Sequence, residues 1–163
     1  MIYKYWNCIL FIISLFAISS ALFAEYILGL QPCELCLKQR HPYYFFIIIL
    51  LFLLFIPKLF NIYISLLVQI GTIYGIFYSV WHVGVENSLI DGPSGCSSEL
   101  LLSNSTMDLK EQILNRQVVS CDEVVWSIFG LSAASINTIV LLFIFVINAL
   151  YLLNKYEKKE KKE

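Results

Sequence analysis

Of 163 residues, 59% are hydrophobic and only 14% charged, against about 25% charged in an ordinary soluble domain. The apolar residues come in long blocks rather than periodic stripes, which marks an integral membrane protein. A net charge of −1 and the lack of a phosphate-cradling glycine motif argue against a nucleic-acid partner.

The first block runs from Trp6 to about Leu30 and is broken only by Glu25. A signal peptide would need small residues before its cut. Leu22 stands three places before a cut after Ala24, so a retained span over about 6–29 is expected. Cys8 lies inside this block and reads as a buried small hydrophobe. Glu25 reads as an interfacial residue near its outer end.

The second block, Pro42 to Ile56, is short, roughly 22 Å at about 1.5 Å per residue. A span over about 41–56 must borrow residues from its N-terminal side. Lys38 and Arg40 would then sit at the membrane surface with their charges turned outward. The third block gives a span over about 62–84, after the tight PKLFN turn, and the fourth a span over about 124–153. The fold class expected is all-α: a four-helix transmembrane bundle, one membrane domain over 1–163, monomeric. Its two outward loops are 30–40 and 85–123. In the second, TMDLKEQILNRQVV carries Leu109, Ile113 and Leu114 roughly on one side, with Thr106 placed to cap. That pattern predicts a short helix lying on the membrane surface.

Basic residues set the orientation. Lys4, Lys58, Lys155, Lys158, Lys159, Lys161 and Lys162 fall on the side of the termini. Lys38, Arg40, Lys110 and Arg116 fall on the other. The termini are therefore expected in the cytoplasm and the loops outside.

Four of the five cysteines, Cys33, Cys36, Cys96 and Cys121, fall in the outward loops. An oxidising compartment permits disulfides there, and four cysteines allow three pairings. A bond within Cys33-Glu34-Leu35-Cys36 would close a ring too small to restrain the unfolded chain, so its use is redox. Lys38, Arg40 and His41 favour the reactive thiolate, as does a helix N-terminus at Cys36. A Cys96–Cys121 bond would close a much longer loop, worth about 3–4 kcal/mol. The flanks GPSGC and SCDE predict exposed, mobile cysteines. A zinc site using the CxxC with His41 or His82 lacks a second paired motif, and no metal is expected.

A membrane-surface dithiol that becomes reduced must be reoxidised, and a lipid-soluble quinone is available where Cys36 sits. Arg40, one helical turn on, could donate to a quinone carbonyl. His82, near the outer end of the third span, could hydrogen-bond a quinone oxygen or simply reach water.

The motifs PCELCLKQRHPYY, WHVGVENSLIDGPSGC and SCDEVVWSIFGLSAASIN together resemble the bacterial disulfide bond formation protein B (DsbB) family. Two departures are modest: SLID stands where relatives often carry a tryptophan, and Ile136 where an aromatic is common. The resemblance implies an inner-membrane thiol oxidase working as a relay. A reduced periplasmic DsbA-like, thioredoxin-like oxidase would attack Cys96. Cys121 would be released to engage Cys33. Cys36 would face ubiquinone or menaquinone with Arg40 beside the ring. Two other readings compete. One is a non-catalytic membrane protein stapled by disulfides. The other is a reductase like the vitamin K epoxide reductase family, whose CxxC comes late in the bundle.

Overall fold

A computed structural model of the chain describes residues 2–52, 61–93, 120–124 and 126–160. Four helices dominate: α1 (Ile2–Tyr26), α2 (Glu34–Phe52), α3 (Asn61–Glu86) and α4 (Ala133–Glu160). A two-stranded hairpin, β1 (Ser127–Ile128) and β2 (Leu131–Ser132), precedes α4. The protein is thus mostly helical, as an all-α membrane protein should be. Three of its helices are long and apolar enough to cross a membrane, over Tyr5–Tyr26, Ile62–Glu86 and Ala133–Tyr156. The surface helix expected near residues 106–119 lies outside the described residues.

The bundle is built around α3, which packs against α2 on one side and α4 on the other, while α1 packs mainly on α2. Trp6, Leu10, Tyr43, Phe46, Val68, Leu141 and Ile144 form the buried interior. Large apolar side chains such as Phe16, Ile70, Phe77 and Phe143 point outward, the inverse of a soluble bundle and the pattern a lipid solvent permits. Between helices in lipid, small residues and polar contacts do the joining. A Cβ on Gly75 would come within 2.8 Å of Pro42 Cγ, and one on Gly71 within 2.9 Å of Phe46 Cε1. Both glycines therefore let α2 lie close against α3. Near the opposite end from the CxxC, buried Asn148 accepts from Trp6 Nε1 at 3.1 Å and donates to Gln69 Oε1 at 2.7 Å and the Ser65 carbonyl at 2.9 Å.

Two helix starts differ from the apolar blocks. α2 begins at Glu34, well ahead of Pro42, because the polar run after Cys33 is itself helical. Pro42 is accommodated inside it, against Gly75. α4 begins at Ala133 rather than Val124. The intervening hairpin pairs Ser127 with Ser132 and Ile128 with Leu131, and its two loop residues, Phe129 and Gly130, have φ of 52° and 80°. Two successive positive φ angles match the strand twist of a tight hairpin. Ser132 then caps α4, its Oγ accepting from Ser135 N at 3.1 Å.

Candidate functional site

Cys33 is the residue immediately before α2. Its carbonyl accepts from Leu37 N at 3.1 Å, and its Sγ accepts from Cys36 N at 3.3 Å. The sulfur thus occupies the N-cap position, where the unpaired amides of a helix start favour negative charge. Glu34 and Lys38 pair one turn apart at 2.7 Å on the outer side of the same turn. The CxxC spacing places Cys36 in that turn, and the two sulfurs are hydrogen-bonded at 2.9 Å as free thiols. The hydrogen bond from Cys36 holds the Cys33 thiol down to about 4, helped by one from His82 and opposed by burial. The two thiols thus titrate as a pair, with negative charge favoured on Cys33.

Behind Cys33 lies a polar assembly drawn from three helices. His82 of α3 is 4% exposed, with Nε2 at 3.6 Å from Cys33 Sγ. Gln39 of α2 reaches His82 Nδ1 at 2.7 Å. Asn137 of α4 donates to Gln39 Oε1 at 2.9 Å and to Ser79 Oγ at 2.6 Å, and accepts from Tyr43 OH at 2.6 Å. Glu86, one turn beyond His82, stands 3.9 Å from Nε2 and accepts from Ser132 Oγ. Polar side chains inside apolar helices are costly without partners, and no described buried side-chain polar atom lacks one.

Arg40 turns the other way and forms an ion pair with Glu25 of α1. Both are largely shielded, so Glu25 is a structural partner of Arg40. Arg40 remains close enough to Cys36 for its charge to be felt at that sulfur. Gln39, the residue before Arg40, serves His82. His41 takes no part in the thiol cluster; it contacts Tyr74 at 3.3 Å on the exposed side.

Cys121 comes from far along the chain, yet it is fully buried and shares one cluster with Cys33, Leu35 and Val85. Cys36, Tyr78 and Trp81 pack against that cluster. The expectation of an exposed Cys121 is corrected: Cys121 is buried beside Cys33 and Leu35 at the start of α2. Cys121 is disulfide-bonded, and Cys96 lies outside the described residues. Cys8 is also corrected, being exposed. Trp6 and Leu10 take the inward face of α1, which turns Cys8 outward. An apolar groove of about 520 Å³ runs beside the cluster, lined by Ile76, Phe77, Val80, Trp81 and Ile90.

The sulfurs of Cys33 and Cys36 and a ring nitrogen of His82 lie within 4.8 Å of one another. Among the described residues this donor set is one short of the four that hold a structural zinc, and closing a disulfide would remove two of the three. The arrangement suits thiol–disulfide exchange better than a resident ion. The sequence pointed to Cys33, Cys36 and Arg40 through local spacing. It gave less warning of Glu25, Asn137, Ser79 and Tyr43. The available signal was that polar side chains lie within otherwise apolar blocks.

Comparison with known proteins agrees with this chemistry. Residues 3–151 match the family described as Disulfide bond formation protein DsbB. The uncharacterized protein RP370 of Rickettsia prowazekii (strain Madrid E) is 31% identical over 161 residues, covering 98% of this chain and 92% of that protein. No solved structure matches. A match over nearly the whole chain, with a CxxC at the start of a helix and a third cysteine buried against it, places this multi-pass membrane protein in the disulfide bond formation protein DsbB family.

Proposed function

We propose that the chain is an inner-membrane protein-disulfide:quinone oxidoreductase with four spans, cytoplasmic termini and periplasmic cysteines. It reoxidises a periplasmic DsbA-like thiol oxidase. In net terms the partner's dithiol loses two electrons and two protons and closes to a disulfide, and the quinone gains both to become a quinol. The observation that carries this reading is the burial of Cys121 in the same cluster as Cys33. A relay between two cysteine pairs needs one sulfur of each within reach of the other.

By this reading Cys96 accepts the partner's thiolate, Cys121 passes the electrons to Cys33, and Cys36 delivers them toward the lipid. Arg40 is the quinone-side residue. Its guanidinium has five N–H donors, so pairing with Glu25 leaves donors for a carbonyl oxygen. A cationic donor beside a thiol at the start of a membrane helix fits a quinone headgroup, which supplies a two-electron, two-proton acceptor when bound. Arg40 orients that headgroup and the first turn of α2 holds the thiol against it. Ubiquinone and menaquinone both meet these demands.

The test uses the purified full chain, a reduced thioredoxin-like thiol oxidase and ubiquinone or menaquinone, with quinone absorbance followed in time. Turnover is expected, and Cys33→Ser or Cys36→Ser should abolish it. Normal turnover in either variant would overturn the assigned route. No turnover with either quinone would favour a non-catalytic, disulfide-stapled protein.

A further inference from the structure

We propose that Asn137 on α4 acts at a distance on the redox pair: through Gln39 it fixes the proton on His82 Nε2, and that N–H donates to the Cys33 sulfur. The inference rests on reading Cys33 as redox-active, but not on which acceptor its electrons reach.

The argument is one of direction along a hydrogen-bond chain. Tyr43 OH donates to Asn137 Oδ1 at 2.6 Å, so the Asn137 amide must present Nδ2 on its other side. Nδ2 uses its two hydrogens on Gln39 Oε1 at 2.9 Å and Ser79 Oγ at 2.6 Å. With its oxygen so engaged, Gln39 can offer His82 only its amino group, at 2.7 Å from Nδ1. Nδ1 is then an acceptor and carries no proton. The neutral ring keeps its single proton on Nε2, which faces Cys33 Sγ at 3.6 Å. Which ring nitrogen is protonated is set by the bond the other one makes.

Charge on the ring would break this chain. An imidazolium has a donor at Nδ1, which would oppose the Gln39 amino group. Turning Gln39 over would in turn oppose the Asn137 amino group. The titratable groups facing His82 among the described residues are Cys33 and Cys36 from the start of α2 and Glu86 on α3. Glu86 favours charge on the ring, but at 3.9 Å it is beyond hydrogen-bond length and its other oxygen is held by Ser132. α4 contributes only the neutral Asn137 to the chain.

The consequence lies at the sulfur. Whenever a disulfide involving Cys33 opens, the negative charge developing on Sγ meets an N–H already aimed at it. A donor fixed in advance costs no rearrangement at that moment, and a stabilised thiolate is a better leaving group. His82 is thus a catalytic residue acting on the Cys33 sulfur. Gln39 and Asn137 are positioning residues.

The experiment uses two readouts on the full-length reduced protein in detergent. The first is the 15N chemical shifts of the imidazole nitrogens, which distinguish the two neutral tautomers. The chain has only two histidines, and His41→Gln leaves His82 as the one signal. The Nε2–H form is expected, and Asn137→Asp, which cannot donate to Gln39, should shift it toward Nδ1–H. The second is the pH dependence of Cys33 alkylation, read by mass spectrometry in a Cys36→Ala background. His82→Leu and Asn137→Leu should slow alkylation at pH 6 by about tenfold. His82→Gln, whose amide N–H can take the place of Nε2–H, should retain most of the rate. An Nδ1–H tautomer in the parent protein, or equal alkylation rates in the Gln and Leu variants, would overturn the proposal. Neither readout needs quinone or partner, so failure of the electron route would be seen separately.

Discussion

Arg40 and Glu25 form a shielded ion pair that ties the first turns of α2 to the end of α1. The pair fixes the guanidinium on the side of α2 that holds Cys36. Removing one partner of such a pair leaves a poorly solvated charge behind, which costs more than the pair itself contributes. Glu25→Gln is therefore expected to lower stability by about 2 kcal/mol and to raise the apparent quinone KM through a loosened Arg40. Arg40→Lys keeps the charge but loses the planar fork, and should raise that KM by about tenfold, with a smaller effect on kcat. Steady-state kinetics at varied quinone would check both; an unchanged KM in Arg40→Lys would reduce Arg40 to an anchor.

The hydrogen bond between Cys33 and Cys36 gives the reduced protein a pH dependence of known sign. The thiol is held down to about 4 in the folded state, against about 8.5 for an unfolded cysteine. Between these values the unfolded chain binds the extra proton, so stability rises with pH. The contribution is complete above the unfolded value and is lost as pH falls toward 4. Thermal melts of the reduced protein should show a gap between the parent and Cys33→Ser that widens from pH 5 to pH 8. A constant gap would mean that the sulfur carries no charge in the fold.

Asn148 offers a control in which stability and chemistry separate. It joins α1, α3 and α4 by three hydrogen bonds, remote from the thiols. Asn148→Leu fills the space but leaves Trp6 Nε1 and Gln69 Oε1 without this partner. A loss of about 1–3 kcal/mol is expected, with thiol oxidation unchanged below the melting temperature. Altered kinetics in a folded Asn148→Leu protein would show that the two ends of the bundle are coupled.

What the sequence makes legible is what is local or compositional. The apolar runs announce α1, α3 and α4, and the CxxC spacing announces two thiols brought together in one turn. The start of α2 is hidden because ELCLKQRH is polar and its helix is recognisable only from the cap at Cys33. The start of α4 is hidden by a hairpin whose loop puts Phe129, a residue that seldom adopts positive φ, at 52°. Helix rotation decides that Cys8 faces out while Trp6 and Leu10 face in, and a uniformly apolar block carries no stripe from which to read it. Contacts such as Asn137 with Gln39 or Arg40 with Glu25 join distant parts of the chain, so only the fold brings them together.

Gly75 tests whether the polar chain depends on close helix packing. An added Cβ would meet Pro42 Cγ at 2.8 Å and Leu141 Cδ1 at 3.0 Å. Pro42 belongs to a ring locked in its helix and cannot swing aside, so α2 or α4 must move away from α3. Such overpacking costs about 1–3 kcal/mol. α3 carries His82 and Ser79, α2 carries Gln39 and Tyr43, and α4 carries Asn137. A wider spacing therefore lengthens hydrogen bonds now between 2.6 and 2.9 Å. Gly75→Ala should lower the melting temperature and also slow Cys33 alkylation at pH 6, although the substitution lies far from the sulfur. Gly71→Ala, which presses on Phe46 one turn further from the cysteines, should lower stability with less effect on the thiol. If both variants lose stability while Cys33 keeps its full reactivity, the three-helix register does not govern the sulfur.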